Sequence, residues 1–195
     1  MNTFKKKSLY LAVAGVSALG AGTASAVTLN ADGLGSVLLY PYYTVRETGA
    51  GNAYNSLLSV VNSTSSAKAV KVRFLEGKNS REVLDFNLYL SAKDVWTAAI
   101  IPTTDGAGIF TADKSCTTPI VSSSSAAPTP FVNYAYSGSN DDKGGTSLDR
   151  TREGYVEIIE MGDVVGSTAV AATHVNGVPP CTPSALASPT APNNT

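Results

Sequence analysis

From residue 36 onward, apolar and polar positions alternate in short runs separated by glycine and polar punctuation, the pattern of half-buried β-strands. In "AVKVRF" Val70, Val72 and Phe74 face one way, Lys71 and Arg73 the other. "REVLDFNLYL" sets Leu84, Phe86, Leu88 and Leu90 against Asp85, Asn87 and Tyr89, and the turn-like "EGKNS" between the two runs predicts an antiparallel hairpin. "SLLSVVNST" places Leu57, Ser59 and Val61 on one face and Leu58, Val60 and Asn62 on the other. In "SVLLYPYYTV", residues 36 to 45, strict alternation groups Leu38, Tyr40 and Tyr42 on one face and Val37, Leu39, Pro41 and Tyr43 on the other. Both faces are apolar, and Pro41 lacks an amide donor, so this run is expected at a sheet margin or a bulge.

Further strands are predicted at 95–101, 108–112 and 154–161, with a weaker one at 131–136; residues 167–175 fit strand or helix. "CTTPIVSSSSAAPTP", residues 116 to 130, is Ser- and Pro-rich and predicts a long irregular loop. From Pro179 the chain is poor in bulky apolar residues and little regular structure is expected. Many short strands without a long helical pattern predict an all-β fold, an antiparallel β-sandwich, Ig-like or jelly-roll-like, with a flexible C-terminal tail. The expected organisation is a signal peptide over 1–26, a sandwich domain over 27–178, and a Pro/Ser/Ala-rich tail over 179–195 that is either a plain tail or the start of a longer C-terminal part.

The first residues change the picture of where this domain resides. Lys5, Lys6 and Lys7 precede an apolar stretch from 8 to 22, and Ala24-Ser25-Ala26 supplies small residues at a cleavage site. The stretch is shorter than the ~20 residues that span a bilayer. Sec-type export to the periplasm, the outer surface or the medium is therefore expected. Cleavage would remove three of the 14 basic residues and none of the 15 acidic ones, leaving 11 against 15, a net charge of −4. That balance argues against a nucleic-acid partner. In an oxidising compartment the two cysteines, Cys116 and Cys181, are expected to form a disulfide.

Candidate chemistry is sparse. His174 is the single histidine, and it reads as a solvent-facing loop residue. No G-x-S-x-G, P-loop or H-E-x-x-H motif occurs, and no cofactor or metal is called for. Asn140, Asp141 and Asp142 in a glycine-rich turn are oxygen-rich, but their spacing departs from the alternating calcium loop. Glu157 and Glu160 differ in parity, which puts them on opposite strand faces. Tyr40, Tyr42, Tyr43 and Trp96 are the candidate docking surface, for a glycan or another protein, with core packing as the simpler alternative.

The blocks "DGLGSVLLYPYYTV", "AVKVRFLEGKNSREVLDFNLYLSAKDVWTA" and "RTREGYVEIIEMG" resemble an uncharacterised family of secreted and cell-surface proteins of Gram-negative proteobacteria. The resemblance implies export and a longer parent chain, and carries no catalytic residues. The expected function is an exported, non-enzymatic structural, adhesive or assembly protein. Two alternatives stand beside it. One is a carbohydrate-binding module using the surface tyrosines. The other is a secreted enzyme whose carboxylates, Asp85, Asp94 or the acids of 153–163, converge in a cleft.

Overall fold

The computed structural model describes residue 30, residues 32–187 and residue 189; the signal peptide expected over 1–26, and residues 188 and 190–195 of the tail, lie outside the described residues. The chain divides into two units, Met1–Leu34 and Gly35–Thr195. The described part of the first is a turn in which the Asp32 amide donates to Asn30 Oδ1 at 2.9 Å.

The second unit contains β1 (Val37–Thr44), β2 (Glu47–Gly49), β3 (Asn52–Ala53), β4 (Ser56–Val61), β5 (Lys68–Glu76), β6 (Glu82–Leu90), β7 (Val95–Pro102), β8 (Ala107–Phe110), β9 (Cys116–Thr118), β10 (Thr129–Pro130) and β11 (Glu153–Asp163). A five-stranded sheet has the order β1-β11-β5-β6-β9, a four-stranded sheet the order β10-β8-β7-β4, and β2-β3 is a small hairpin. All pairings are antiparallel, as expected for an all-β sandwich. The two sheets pack through Val70, Val72, Phe74, Phe86 and Leu88 from one side and Leu58, Val60, Trp96, Ala98, Ile100 and Ile109 from the other. Aromatic rings run through this core: Tyr43 meets Phe131 at 5.8 Å, Phe131 meets Phe74 at 5.0 Å, Phe74 meets Phe86 at 6.3 Å, and Phe86 meets Trp96 at 5.8 Å.

Trp96 is fully buried, and its Nε1 is, among the described residues, the buried side-chain nitrogen without a hydrogen-bond partner. An orphan donor in a core costs free energy that a phenyl ring avoids, which offsets part of the cost of the cavity the smaller ring leaves. Trp96→Phe is therefore expected to cost less than about 1.5 kcal/mol in urea unfolding. A loss above about 3 kcal/mol would show instead that the indole contributes through contacts that phenylalanine cannot make.

The β5–β6 hairpin forms as its alternation predicts. The faces of β1 do not. Its register with β11 shifts between Tyr40 and Tyr43, so a bulge at Pro41-Tyr42 reverses the parity; Leu38 and Tyr40 pack on the core, and Tyr43 then turns inward as well. Opposite Tyr43 lies Gly154, where a Cβ would overlap the Leu75 carbonyl oxygen, so this crossing of β11 against β5 admits only glycine.

Residues 131–136 are not a strand. Phe131 and Tyr136 are both buried in the same core although five positions apart, which a flat strand cannot arrange, and the chain turns through a 3-10 segment at Tyr134–Tyr136. Residues 167–175 resolve to a helix at Gly166–Ala172, with Thr168, Ala171 and Ala172 buried at helical spacing. The expected irregular tail contains a second helical turn, Pro183–Ala187, with Ala185 and Leu186 buried. Both helices cover Ala69, Tyr89 and Cys116 on the outer side of the five-stranded sheet and form a second small core. Tyr89 donates to the Leu186 carbonyl at 2.8 Å, and the Cys116–Cys181 disulfide ties the helical cap to β9.

Candidate functional site

The four aromatic candidates occupy different environments. Trp96 and Tyr43 lie in the core rather than on the surface; the Tyr43 hydroxyl donates to Thr151 O at 3.1 Å, and burial, then the Glu76 charge, push its phenol far up. Tyr42 is 62% exposed and donates to Glu153 Oε2 at 3.2 Å. Tyr40 is half-buried and reaches across to the other sheet, donating to the Ser59 carbonyl at 2.5 Å.

That contact bears on a sheet edge. The Asn62 amide donates to Asp94 O at 2.8 Å, and antiparallel alternation extends this pairing back to Val60, Leu58 and Ser56. Leu57, Ser59 and Val61 therefore turn their backbone groups toward the open side of β4. An uncharged edge of this kind is a template for strand addition unless something blunts it, and the Tyr40 hydroxyl occupies its central carbonyl. Tyr40→Phe is expected to leave the circular-dichroism spectrum unchanged while raising thioflavin binding and light scattering on incubation. No increase over wild type would remove this role from Tyr40.

The acids named as candidate catalytic groups do not converge. Asp85 pairs with Lys71, Glu157 with Arg73 at 2.9 Å, Glu153 with Arg46 at 3.0 Å, and Glu160 and Asp163 share Lys68. The oxygen-rich turn is likewise spent: Asp141 pairs with Lys143 at 3.0 Å and Asp142 with Arg150 at 2.8 Å.

Arg150 belongs to a buried network that local sequence patterns did not reveal. Glu76, fully buried at the end of β5, accepts from the amides of Lys78, Asn79 and Arg81 at 2.8, 2.9 and 3.0 Å, and from Arg150 Nη2 at 2.8 Å and Nε at 3.2 Å. The Arg150 guanidinium also lies 4.0 Å from the centre of the Tyr136 ring. Burial alone would raise the Glu76 carboxyl, but Arg150 and the three amides outweigh it and hold the group below the ordinary carboxylate range. Arg150, and then Asn79, hold Asp142 lower still. The network clamps the 77–81 turn against the 142–152 segment.

His174 is not a free loop residue. Its Nδ1 lies 2.7 Å from Ser91 Oγ and 3.5 Å from Asp94 Oδ2. A Ser-His-Asp hydrolase places serine and acid on different ring nitrogens; here both meet the same one. Ser91 Oγ also donates to Ala172 O at 2.9 Å and accepts from the His174 amide at 2.9 Å. Its proton is thus committed, so Nδ1 is assigned as the donor to Ser91. Asp94 further accepts from the Ser91 amide at 2.9 Å and Ser115 Oγ at 3.2 Å. The cluster pins the end of the Gly166–Ala172 helix to the β6–β7 turn.

The two outer sheet faces differ in kind. On the five-stranded sheet, Lys71 and Arg73 of β5 form ion pairs to Asp85, Glu82 and Glu157, and the helices cap the remainder. None of the residues of β4, β7, β8 and β10 is charged. Their outer face presents Leu57 at 85% exposure, Val61 and Val95. A shallow concavity of about 400 Å³ opens there, with Ser59, Thr97 and Ala99 in it and Phe110 beside them. A second groove of about 730 Å³ lies by the disulfide, lined by Ile120, Val121, Pro183 and Leu186. Sequence alternation had already placed Leu57, Ser59 and Val61 together; the absence of charge from every strand of one sheet was the signal for the rest.

Together these features define a disulfide-bonded β-sandwich with one ion-paired, helix-capped face and one uncharged face. Comparison of the chain with protein-family models, curated proteins and solved structures finds no match.

Proposed function

We propose that the chain is an exported structural or assembly protein that works by surface contact rather than by catalysis, and that its contact surface is the outer face of β4, β7 and β8. The observation that carries this is the uncharged, partly apolar character of that face, beside an opposite face devoted to ion pairs. Contiguous exposed apolar surface on a water-soluble domain marks interaction sites. The oxidised Cys116–Cys181 pair supports an oxidising compartment, as does the resemblance to secreted proteobacterial proteins. No helix among the described residues is long and apolar enough to cross a membrane.

Cell fractionation, with mass spectrometry of the recovered chain, tests this reading. The expected product begins at Val27, carries no free thiol and is found outside the cytoplasm. A full-length, reduced chain in the cytoplasm would overturn it. The carbohydrate-binding reading retains Tyr42 as the exposed ring among its four residues. A glycan array that binds wild type and not Tyr42→Ala would favour that reading instead.

A further inference from the structure

We propose that the outer face of β4, β7 and β8 docks a second copy of this chain, Leu57 of each copy seating in the concavity of the other. This rests on the reading of that face as the contact surface and adds the identity of the partner.

Charge is the first argument. Two copies that meet through the five-stranded sheet must desolvate Lys71, Arg73, Asp85 and Glu157, at a cost that pairing in a dry interface does not reliably offset. Two copies that meet through the other sheet bury no ionised group belonging to its strands. The chain expected after cleavage carries 11 basic against 15 acidic residues, and the strands of this face add no charge of their own to the repulsion between like copies.

Shape is the second. Leu57 is the most exposed apolar residue of β4 and stands at the wall of a hollow that the small Ser59, Thr97 and Ala99 also line, with Phe110 among them. Each copy thus supplies one knob and one hollow. A two-fold interface requires that reciprocity, since residue i of one copy meets residue j of the other and the converse.

Area sets the strength. Three strands about 4.8 Å apart, of at most eight residues, offer roughly 400 Å² of sheet per copy. A stable complex buries about 800 Å² per partner. The dimer should therefore be reversible and in the micromolar range rather than obligate.

Sedimentation equilibrium of the mature protein tests this. The weight-average mass should climb from one chain toward two between about 1 µM and 1 mM. Leu57→Glu should remain at one chain mass with unchanged thermal unfolding, because the side chain is 85% exposed; Asp85→Asn on the opposite sheet should dimerise as wild type does. If Leu57→Glu misfolds, Leu57→Ser serves, with an expected dissociation constant at least about tenfold weaker.

Photo-crosslinking from position 57 in expressing cells, through Leu57→p-benzoylphenylalanine, separates this inference from the one beneath it. An adduct of twice the chain mass supports the second copy. An adduct of any other mass overturns the second copy while leaving the contact surface in place. No adduct removes both. Wild type that stays at one chain mass throughout also overturns the second copy.

Discussion

Glu76→Gln is expected to destabilise the domain by about 2–4 kcal/mol at neutral pH, the cost of removing one of the two carboxylates that hold the buried Arg150 guanidinium and of leaving the turn amides short of an acceptor. Few single changes should do more, because Glu76 is fully buried and its two oxygens accept five hydrogen bonds, three of them from the turn that closes the β5–β6 hairpin. Glutamine keeps the shape but offers one acceptor oxygen in place of two, and its amide group faces donors. The pH dependence follows from the direction of the shift. A carboxyl held below its ordinary value binds fewer protons folded than unfolded, so its contribution is complete above about pH 5 and is lost as pH falls through 4 and below. Asp142 has the same sign, so the whole cluster weakens in acid. Urea midpoints at pH 7 and pH 3 should differ markedly for wild type and less for Glu76→Gln. A variant within about 1 kcal/mol of wild type at pH 7 would mean that the network does not stabilise the fold.

This network shows where sequence reading ends. Glu76 and Arg150 are 74 positions apart, and nothing in "EGKNS" or "DRTRE" indicates that one completes the other. What was legible was periodic. The inward residues of β4, β5 and β6 follow from alternation, because a half-buried sheet sorts side chains by parity and nothing interrupts those runs until the bulge near the start of β6.

In β1 the same rule misassigned Tyr43, because one bulge moves every later residue to the other face, and Pro41 was the available warning. The helix Pro183–Ala187 was missed for a different reason. Its composition is that of a solvated tail, and its order comes from tertiary contacts made by Ala185, Leu186 and Cys181, which no local propensity encodes. His174 acquired partners in the same way, from Ser91 and Asp94, more than 75 positions earlier in the chain. The uncharged sheet lies between these cases. β4, β7 and β8 were each predicted, whereas β10, Thr129–Pro130, and β9, Cys116–Thr118, lie in the stretch expected to be an irregular loop; that β4, β7 and β8 share one layer, and so concentrate their lack of charge on a single face, is a property of sheet order.

Replacing both cysteines, as Cys116→Ala with Cys181→Ala, is expected to cost about 4 kcal/mol, a value set by the 65-residue loop they close in the unfolded chain. The loss should fall unevenly. The core between the sheets contains neither cysteine and keeps its aromatic packing, so strand signals in circular dichroism should persist in the absence of denaturant. The helical cap has less to hold it. Pro183–Ala187 is five residues long, far short of a helix stable alone, and packs in one small core with Tyr89 and Ala69 through Ala185 and Leu186 alone. Hydrogen exchange in the double variant should therefore speed up first at Ala185 and Leu186, whose amides donate to Thr182, and at Cys181→Ala itself, whose amide donates to Ala171. Amides in β5 and β6 should keep a protection that tracks global stability. If the double variant unfolds at the wild-type urea concentration, or if exchange rises equally in cap and sheets, the disulfide is not what couples the cap to the sandwich. If the cap alone is released, the charged face loses its cover over Tyr89 while the uncharged face is untouched, and dimer formation should survive in the same variant.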